Sequence, residues 1–308
     1  MPDFVAAEME VFAELKALLP QSIVTQNEPL ARKTTLRVGG PADVYIEPAS
    51  ETDLARAVAW LHLRSLPFRM LGRGSNLLIR DGGVRGVVFR LASPVFSPIE
   101  DHGDGFRCGA GAKLKTVSAR ARERSLAGLE FLEGIPGSVG GALRMNAGAM
   151  GAATFEVVTR ARFMDAEGQI GELDVAQIPF EYRSSPFFKT HIALGADFRG
   201  RPAPRETILQ TTQAFNEKRW SSQPKDPSAG CIFKNPGAPA GRLIEELGLK
   251  GRRVGGAVVS TVHGNFIVNE GGASANDVLE LIAQIKARAK AERGIELHTE
   301  VEIIGEDH

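Results

Sequence analysis

One of the two cysteines of this 308-residue chain, Cys231, lies in a segment whose composition suits a reactive site. Residues 228–236 read SAGCIFKNP, so the thiol stands between a small-residue turn and a lone lysine. A thiol can act as a nucleophile or as a proton donor, and a nearby cation lowers its pKa. An unpaired cysteine also serves as a small apolar residue of a core. Taken alone, this segment favours the apolar interpretation, and the rest of the chain must decide between the two.

Three other side chains have types that suit chemistry. Arg183 follows Tyr182 and precedes a Ser-Ser-Pro turn, so the neighbouring ring can hold its guanidinium in place, although such an arginine can also lie on the surface. Glu300 lies on the polar face of an alternating segment, where a solvated carboxylate is the simpler interpretation. His263, in STVHGNF, is typical of a turn histidine. The sequence has no Ser-His-Asp signature and no metal-ligand spacing, which disfavours hydrolases and metal sites.

Two glycine-rich segments predict close approach of the backbone to a ligand. In LGRGSNLLI, residues 71–79, the glycines precede a predicted strand, whereas the dinucleotide-binding fingerprint of the Rossmann fold requires them to open a helix. Residues 129–151, LEFLEGIPGSVGGALRMNAGAMG, form the densest run of small residues. We predict that this run is not a packing element and that its amides face a flat or phosphorylated ligand. Apolar anchors such as Ile135 and Leu143 argue against a free loop.

Charge and composition limit the classes of partner. Thirty-seven Lys and Arg residues balance thirty-seven Asp and Glu residues, so no net charge attracts nucleic acid or an acidic membrane surface. The first 21 residues are acidic and amphipathic, which predicts a helix and not a signal peptide. We therefore predict a cytoplasmic protein. Its length and its 43% apolar composition predict two domains.

The elements that must position these groups alternate between helix and strand. Ser50 and Ser274 predict two helix starts, each before an apolar stripe. We also predict a linker at residues 197–206 and an alternating strand at residues 295–303. The other predicted helices cover residues 113–124, 207–219 and 242–247, and the other strands cover residues 38–47, 68–71, 77–79, 87–91, 157–164, 257–260 and 265–269.

Seven segments occur in an order that identifies one enzyme family. They are TTLRVGGPAD, GRGSNLLIRDGGVRGVV, GIPGSVGGALRMNAGAMG, YRSS, SAGCIFKNP, GLKGRRVGGAVVSTVHGNFIVN and HTEVEIIGE. Together they resemble the UDP-N-acetylenolpyruvoylglucosamine reductases over nearly the whole chain. Each segment alone is weak evidence, but seven in the family's order are specific.

The resemblance implies an α+β fold with a vanillyl-alcohol-oxidase-type (PCMH-like), two-part FAD-binding region and a smaller α+β substrate-binding domain. We place an N-terminal helix at residues 1–21 and the FAD-binding domain at 22–200, with subdomains at about 22–92 and 93–200. The substrate-binding domain follows at 201–308. The implied reaction, in peptidoglycan precursor synthesis, converts an enolpyruvyl ether to a lactyl ether with NADPH as co-substrate and FAD as cofactor. We expect a monomer whose partner is the UDP-sugar, without metal, nucleic acid or membrane partners.

The resemblance also implies roles for residues. Arg183 and Glu300 are expected to stabilise charge that develops on the substrate, and Cys231 is expected to donate the proton to C2. The residues expected to bind FAD are Gly72, Arg73, Gly74, Ser75, Asn76, Leu77, Gly134, Ile135, Pro136, Gly137, Ser138, Gly140, Gly141, Asn146, Ala147 and Gly148. The residues expected to bind substrate are Tyr182, Lys218, Arg219, Lys234 and Asn235.

Three features depart from the family's usual pattern. The chain has no tyrosine between Arg183 and Cys231, so it resembles the second type of the family, which lacks a tyrosine-bearing loop over the substrate. The family usually has serine where Cys231 stands. Glu302 occupies a position that is often basic in the family.

Two other functions are compatible with parts of the sequence. Another flavin oxidoreductase of the same architecture, acting on an alcohol or a sugar, leaves the FKNP and HTEVE segments unexplained. A non-catalytic UDP-sugar-binding relative predicts a colourless protein without flavin. Bound flavin therefore separates the second alternative from both enzymes.

Overall fold

The structure is a computed structural model that describes residues 2–307, and of residues 2–8 it describes the backbone only. The α-helices in this range are α1 Pro2–Leu18, α2 Glu51–Leu63, α3 Leu114–Glu123, α4 Val139–Met145, α5 Phe187–Thr190, α6 Arg205–Ser222, α7 Ala240–Glu246 and α8 Ala275–Arg293. The strands are β1 Ile23–Pro29, β2 Pro41–Glu47, β3 Phe68–Met70, β4 Leu77–Ile79, β5 Val84–Phe89, β6 Ile99–His102, β7 Gly105–Gly109, β8 Leu126–Ala127, β9 Gly148–Ala149, β10 Ala152–Ala153, β11 Val158–Met164, β12 Ile170–Asp174, β13 Ile192–Arg199, β14 Arg201–Pro202, β15 Ser228–Cys231, β16 Arg253–Val254, β17 Ala257–Val259, β18 Phe266–Asn269 and β19 Glu302–Ile304. The mixed composition agrees with the predicted α+β class.

The chain forms two compact units. The first comprises the chain up to Gln26, Val44–Arg73 and Gly86–Lys218, and the second comprises Asn27–Asp43, Gly74–Arg85 and the chain from Arg219. These units interleave along the sequence, whereas the predicted domains follow one another. The domain boundaries given above therefore remain predictions.

The first unit contains a five-stranded antiparallel sheet in the order β12-β11-β13-β7-β6. Its core includes Phe106 and Phe198 from neighbouring strands, together with Leu114 of α3 and Leu143 of α4. The short helix α4 is therefore anchored by apolar burial, and this anchoring positions the glycine-rich segment that precedes it.

The helix α2 begins where the sequence predicts. The Ser50 hydroxyl accepts a hydrogen bond from the Asp53 amide at 3.1 Å, which satisfies one of the unpaired amides of the first turn. The predicted stripe of Leu54, Val58 and Leu61 is completely buried. A sheet in the order β1-β2-β5-β3 also forms, and its strands β3 and β5 are parallel.

The second unit contains an antiparallel sheet in the order β15-β18-β17-β16, and β19 pairs in parallel with β4. The helix α8 packs in its core through the predicted stripe. Ser274 and Asp277 form a reciprocal capping box at its start, and Gly294 ends it at a φ of 65°. The prediction of this helix is confirmed.

Two predictions of irregular structure are wrong. Residues 129–151 include a 3₁₀ helix, Glu130–Gly134, and α4, and Leu132, Val139 and Leu143 are fully buried, so this run does pack in a core. The predicted linker at 197–206 contains the end of β13, which pairs with β7, and all of β14, which pairs with β8. Backbone pairing, which composition does not reveal, overrides the local polar character in the second case.

The predicted strand at residues 295–303 is also shorter than expected. Regular pairing is confined to Glu302–Ile304, although Leu297 and Val301 are buried on one side as the alternation predicts. An alternating segment forms a strand only where a neighbour offers a ladder of backbone groups, and β4 offers three residues.

Candidate functional site

The loop at residues 74–76 leads directly into β4, in agreement with the prediction that these glycines open a strand. Gly74 has a φ of 62°, and a Cβ atom there would lie 2.7 Å from Thr34 Cα, so its own chain requires glycine. The Asn76 side chain donates to the carbonyl of Glu300 at 3.1 Å. The loop is thereby tied to the segment that carries a predicted catalytic carboxylate.

The glycine-rich segment of the first unit, residues 134–141, spans the end of the 3₁₀ helix and the first turn of α4. Four of its amides are already used within the chain: Ile135 donates to Leu132 at 3.2 Å, and Gly137 donates to Ile135, Val139 to Ala112 and Gly140 to Ala110 at 2.8–2.9 Å. These four amides are therefore engaged within the chain, whereas the sequence predicted that the amides of this segment face a ligand.

At four of the positions that are predicted to bind FAD, the fold itself does not require glycine. These positions are Gly72, Gly134, Gly137 and Gly141. None of them has a positive φ. A Cβ atom would lie 3.4 Å from the Ser138 hydroxyl at Gly72, 3.7 Å from it at Gly141 and 3.4 Å from a Leu114 methyl group at Gly137, and nothing lies within 4 Å at Gly134. These are ordinary contacts, so the missing side chains leave room for a bound group. The cradle fits the diphosphate of FAD.

Asn146 connects α4 to the segment that carries Arg183. It ends α4 in the left-handed conformation, with a φ of 42°, and its buried side chain donates to the Glu181 carbonyl at 3.0 Å and accepts from the Phe155 amide at 3.2 Å. A Cβ atom on Gly148 would lie 2.8 Å from the Arg183 guanidinium. The first unit therefore brings Asn146, Gly148 and Arg183 together.

Arg183 is held in a tight turn. The backbones of Glu181 and Ser184 exchange two hydrogen bonds of 2.8 and 3.3 Å around it, and Arg183 has a φ of 56°, which is uncommon for a residue with a side chain. The guanidinium carbon lies 4.7 Å from the ring centroid of Tyr182. The turn and the ring restrict the orientation of the charge, as the aromatic flank predicted.

The half-buried thiol of Cys231 ends β15 in the second unit. Gly230 precedes it with a φ of 77°, and the Glu300 amide donates to the Ile232 carbonyl at 2.8 Å. The segments that carry Cys231 and Glu300 are therefore adjacent. A cavity of about 270 Å³ lies beside the thiol and is lined by Cys231, Asn235, Pro239, Gly241, Arg242, Glu245, Val262, His263, Gly264 and Asn265.

The residues predicted to bind substrate are divided between the units. Tyr182, exposed over 60% of its surface, and Lys218 of α6 belong to the first unit. In the second unit, Lys234 and Asn235 are exposed, and the side-chain Oδ1 of Asn235 accepts from the Ala240 amide at 3.0 Å at the start of α7. Arg219 lies with its guanidinium 5.2 Å from the Trp220 ring centroid.

Two residues of the cavity were not assigned a role from the sequence. His263 was interpreted as a turn histidine, and its Nδ1 does accept the Asn265 amide at 3.1 Å. Burial, and then the charge of Lys250, lower its pKa. Asn265 was missed, although an amide side chain next to the apolar run FIV is an available signal of a specific hydrogen-bond role.

Over residues 2–307, no three His, Cys, Asp or Glu side chains are grouped closely enough to hold a metal ion. Within the same residues, no helix combines the length and the apolar character that a bilayer span requires.

Comparison with known proteins identifies the family. Residues 42–174 match an FAD-binding domain, and residues 223–304 match the C-terminal domain of UDP-N-acetylenolpyruvoylglucosamine reductase. The reductase of that name from Nitrobacter hamburgensis is 42% identical over 96% of this chain and 98% of its own, and that of Bacillus subtilis is 42% identical over 92% and 94%.

A solved structure supports the same assignment. The crystal structure of UDP-N-acetylenolpyruvylglucosamine reductase from Thermus caldophilus has a TM-score of 0.79 and 37% identity, and the match covers 92% of this chain and 98% of that one. The predicted α+β fold with an FAD-binding region is therefore confirmed. The chain belongs to the UDP-N-acetylenolpyruvoylglucosamine reductase family.

Proposed function

We propose that this chain reduces UDP-N-acetylenolpyruvoylglucosamine to UDP-N-acetylmuramate with electrons from NADPH, as a cytoplasmic monomer. Family membership over nearly the whole chain gives the reaction, and the observation that supports the residue roles is the adjacency of the Cys231 and Glu300 segments beside a cavity. When bound, FAD accepts two electrons from NADPH and delivers them to C3 of the enolpyruvyl group.

The FAD cradle uses glycines whose side chains would occupy the ligand's space. Gly72, Gly137 and Gly141 surround the Ser138 hydroxyl or lie next to it in the chain, and their backbones allow a diphosphate to approach closely. The family resemblance assigns residues 72–77 and 146–148 to the same cofactor. Asn146 fixes the end of α4 through its own hydrogen bonds, so its role is to shape the site.

Arg183 stabilises the negative charge that develops at C2 and spreads into the adjacent carboxylate. Fixed charge is most effective when no reorganisation is needed during the reaction, and the turn and the Tyr182 ring already restrict this guanidinium. Glu300 donates a hydrogen bond from its protonated carboxyl group to the same developing charge.

Cys231 delivers the proton that completes the reduction. C3 gains a hydride and C2 gains the thiol proton, so the C2–C3 double bond becomes a single bond and NADPH is oxidised. The thiolate then recovers a proton from solvent. Lys218, Arg219, Lys234 and Asn235 provide positive charge and hydrogen bonds for the diphosphate and the carboxylate, and Tyr182 provides an exposed ring for the substrate to pack against.

Stopped-flow measurement of the two half-reactions tests the roles of Cys231 and Glu300. In Cys231→Ala, NADPH should bleach the flavin at the wild-type rate, and the enolpyruvyl sugar should restore its colour about 10²–10⁴-fold more slowly, the range typical of a lost general acid. Cys231→Ser should retain more activity than Cys231→Ala. Glu300→Gln should slow the same half-reaction alone.

Three results would contradict the proposal. Reoxidation of the flavin at the wild-type rate in Cys231→Ala would show that the thiol only packs. Equal slowing of both half-reactions in Glu300→Gln would indicate damage to the flavin site. A purified protein without flavin would exclude the reductase.

A further inference from the structure

Asn265 is a buried amide, 3% exposed, whose side chain both accepts and donates a hydrogen bond to the segment after Cys231. Its Oδ1 accepts the Phe233 amide at 2.9 Å and its Nδ2 donates to the Phe233 carbonyl at 2.8 Å. Its own carbonyl accepts the Ile232 amide at 2.8 Å. The backbone partners fix which side-chain atom is oxygen and which is nitrogen.

The segment needs these bonds because regular pairing ends at Cys231. The register between β15 and β18 shifts between Ser228 and Cys231, and Phe266 is the last residue of β18 that pairs with this segment. Buried backbone groups beyond that point must find other partners or lose free energy. The Asn265 side chain supplies them on one side of Phe233, and Thr299 forms a bridge on the other side.

The Asn265 side chain holds Phe233, two residues after the thiol, and the Asn265 backbone carbonyl takes part in the connection between Cys231 and Glu300. The Ile232 carbonyl accepts the Glu300 amide while the Ile232 amide donates to Asn265, so one residue connects both segments. We infer that Asn265 is a positioning residue for Cys231, which holds the thiol at the cavity in register with Glu300. This inference rests on the proposed function of Cys231.

His263 supports Asn265 through a hydrogen bond to its backbone amide and through a ring contact with the next residue. Its Nδ1 accepts the Asn265 amide, and its ring packs edge-on against Phe266 with the centroids 5.0 Å apart. Cys231, His263 and Asn265 line one cavity, so a displacement of Asn265 changes the surface that faces the ligand.

Asn265→Asp tests the inference, and Asn269→Asp is the matched control. An aspartate at position 265 keeps an acceptor for the Phe233 amide but loses the donor to the Phe233 carbonyl. Asn269, the last residue of β18, is buried and makes the same kind of bond: its Nδ2 donates to the Leu36 carbonyl at 3.1 Å and its Oδ1 accepts the Gly271 amide at 2.9 Å. Both variants therefore lose one buried donor, and only the first lies next to Cys231.

The expected result is a separation of the two variants. Asn265→Asp should slow reoxidation by the enolpyruvyl sugar about 10²-fold, the effect of a small misplacement of a reacting group, with NADPH half-reaction rates unchanged. Its rate relative to wild type should recover as pH falls, because the introduced carboxyl group regains the donor when it is protonated. Asn269→Asp should destabilise the protein without changing either half-reaction.

Alkylation of the thiol gives a second measurement that does not depend on turnover. The rate of Cys231 modification by iodoacetamide, followed against pH, should change in Asn265→Asp and stay as in wild type in Asn269→Asp. Cys108 does not interfere, because it is buried and its pKa is raised to about 12 by burial.

The outcomes distinguish this inference from the proposed function. If Cys231→Ala slows reoxidation and both Asn variants behave alike in every measurement, Asn265 has a purely structural role and the inference is overturned. If Cys231→Ala reoxidises normally, the proposed role of the thiol fails first, whatever the Asn variants do.

Discussion

Two glycine-rich segments, one in each unit, look alike in the sequence but require glycine for different reasons. In the first unit, GIPGSVGG at residues 134–141 has three glycines, Gly134, Gly137 and Gly141, at which a Cβ atom would make only ordinary contacts or none. In the second unit, GRRVGG at residues 251–256 ends in Gly255 and Gly256, at which a Cβ atom would overlap neighbouring atoms at 2.3–2.7 Å.

The contrast shows that glycine density predicts close approach but not what approaches. Gly255 has a φ of 50° and faces the Asp277 carboxylate of the α8 capping box, and Gly256 lies against the backbone of residues 271–273. The second unit therefore uses its glycines to pack a turn against a helix start. The first unit leaves space against its backbone, which is the property of a ligand cradle.

The largest expected effect is on stability, at the glycines of the second unit that pack against their own chain. In Gly256→Ala the new methyl group would lie 2.3 Å from the Gly271 carbonyl oxygen and 2.4 Å from the Ala273 amide, and backbone cannot move aside cheaply. We expect the free energy of unfolding, measured by urea denaturation, to fall by about 3 kcal/mol or more. Gly248→Ala is the control, since Gly248 has a φ of 67° and no neighbour within 4 Å, so only the backbone cost of about 1–2 kcal/mol applies. Equal losses in the two variants would remove the packing explanation.

The glycines of the first unit, which leave space against the backbone, predict weaker FAD binding without a loss of stability. Gly141 lies inside α4, so Gly141→Ala should stabilise the FAD-free protein by about 0.5–1 kcal/mol. The methyl group should weaken FAD binding about 10–100-fold, which corresponds to an overpacking cost of about 1–3 kcal/mol. Flavin fluorescence titration of the FAD-free protein measures the affinity, and thermal melting measures the stability.

Gly140→Ala provides the matched control for that experiment. A Cβ atom at Gly140 would lie 3.0 Å from the Ala110 Cβ, so this variant should lose stability even without FAD. Full FAD affinity in Gly141→Ala would show that the cradle lies elsewhere.

The comparison extends to the serines at the starts of two helices. Ser274 caps α8 through the Asp277 amide at 3.1 Å, whereas Ser138 makes no side-chain cap bond to α4. We expect Ser274→Ala to cost about 1 kcal/mol of unfolding free energy. Ser138→Ala should leave the stability of the FAD-free protein nearly unchanged and weaken FAD binding in the same titration. A stability loss in Ser138→Ala as large as that in Ser274→Ala would contradict the distinction.

The sequence predicts those elements whose signals are local. The predicted helix starts at Ser50 and Ser274 and the predicted strand at residues 77–79 are correct, because caps, apolar stripes and turn residues act over a few positions. The linker at 197–206 and the strand at 295–303 are wrong because the outcome depends on distant partners: β7 and β8 for the first, and the three residues of β4 for the second.

The site shows the same limit. The order of seven motifs identifies the family and the residue types, since each motif is a short local run that the sequence shows directly. The role of Asn265 could not be predicted from the motifs, because it depends on hydrogen bonds to Phe233, 32 residues away. Likewise, only the coordinates separate Gly140, whose neighbour is Ala110, from Gly141, whose neighbour is a hydroxyl.

The two units also contain different titratable groups, Cys108 and His263, whose burial shifts their pKa values. The pH dependence of stability that follows is the smallest effect that we predict. In the first unit, burial, and to a lesser extent the charge of Asp197, raise the pKa of the Cys108 thiol to about 12 from an ordinary value of 9.0. In the second unit, burial and Lys250 lower the pKa of His263 from 6.5. Both folded environments favour the neutral form.

The direction of each pH effect follows from which state binds the proton more tightly. Unfolded His263 binds a proton more readily than folded His263, so its contribution to stability is complete above pH 6.5 and is lost as pH falls below that value. Unfolded Cys108 releases its proton from about pH 9, while the folded thiol retains it to about pH 12, so stability is lost across that window as pH rises. Melting temperatures of wild type, His263→Asn and Cys108→Ala from about pH 5 to about pH 11 measure both: the histidine variant should flatten only the acid side, and the cysteine variant only the alkaline side. An acid slope that is unchanged in His263→Asn would assign acid sensitivity to other groups and leave the Asn265 amide as the reason for a histidine at this position.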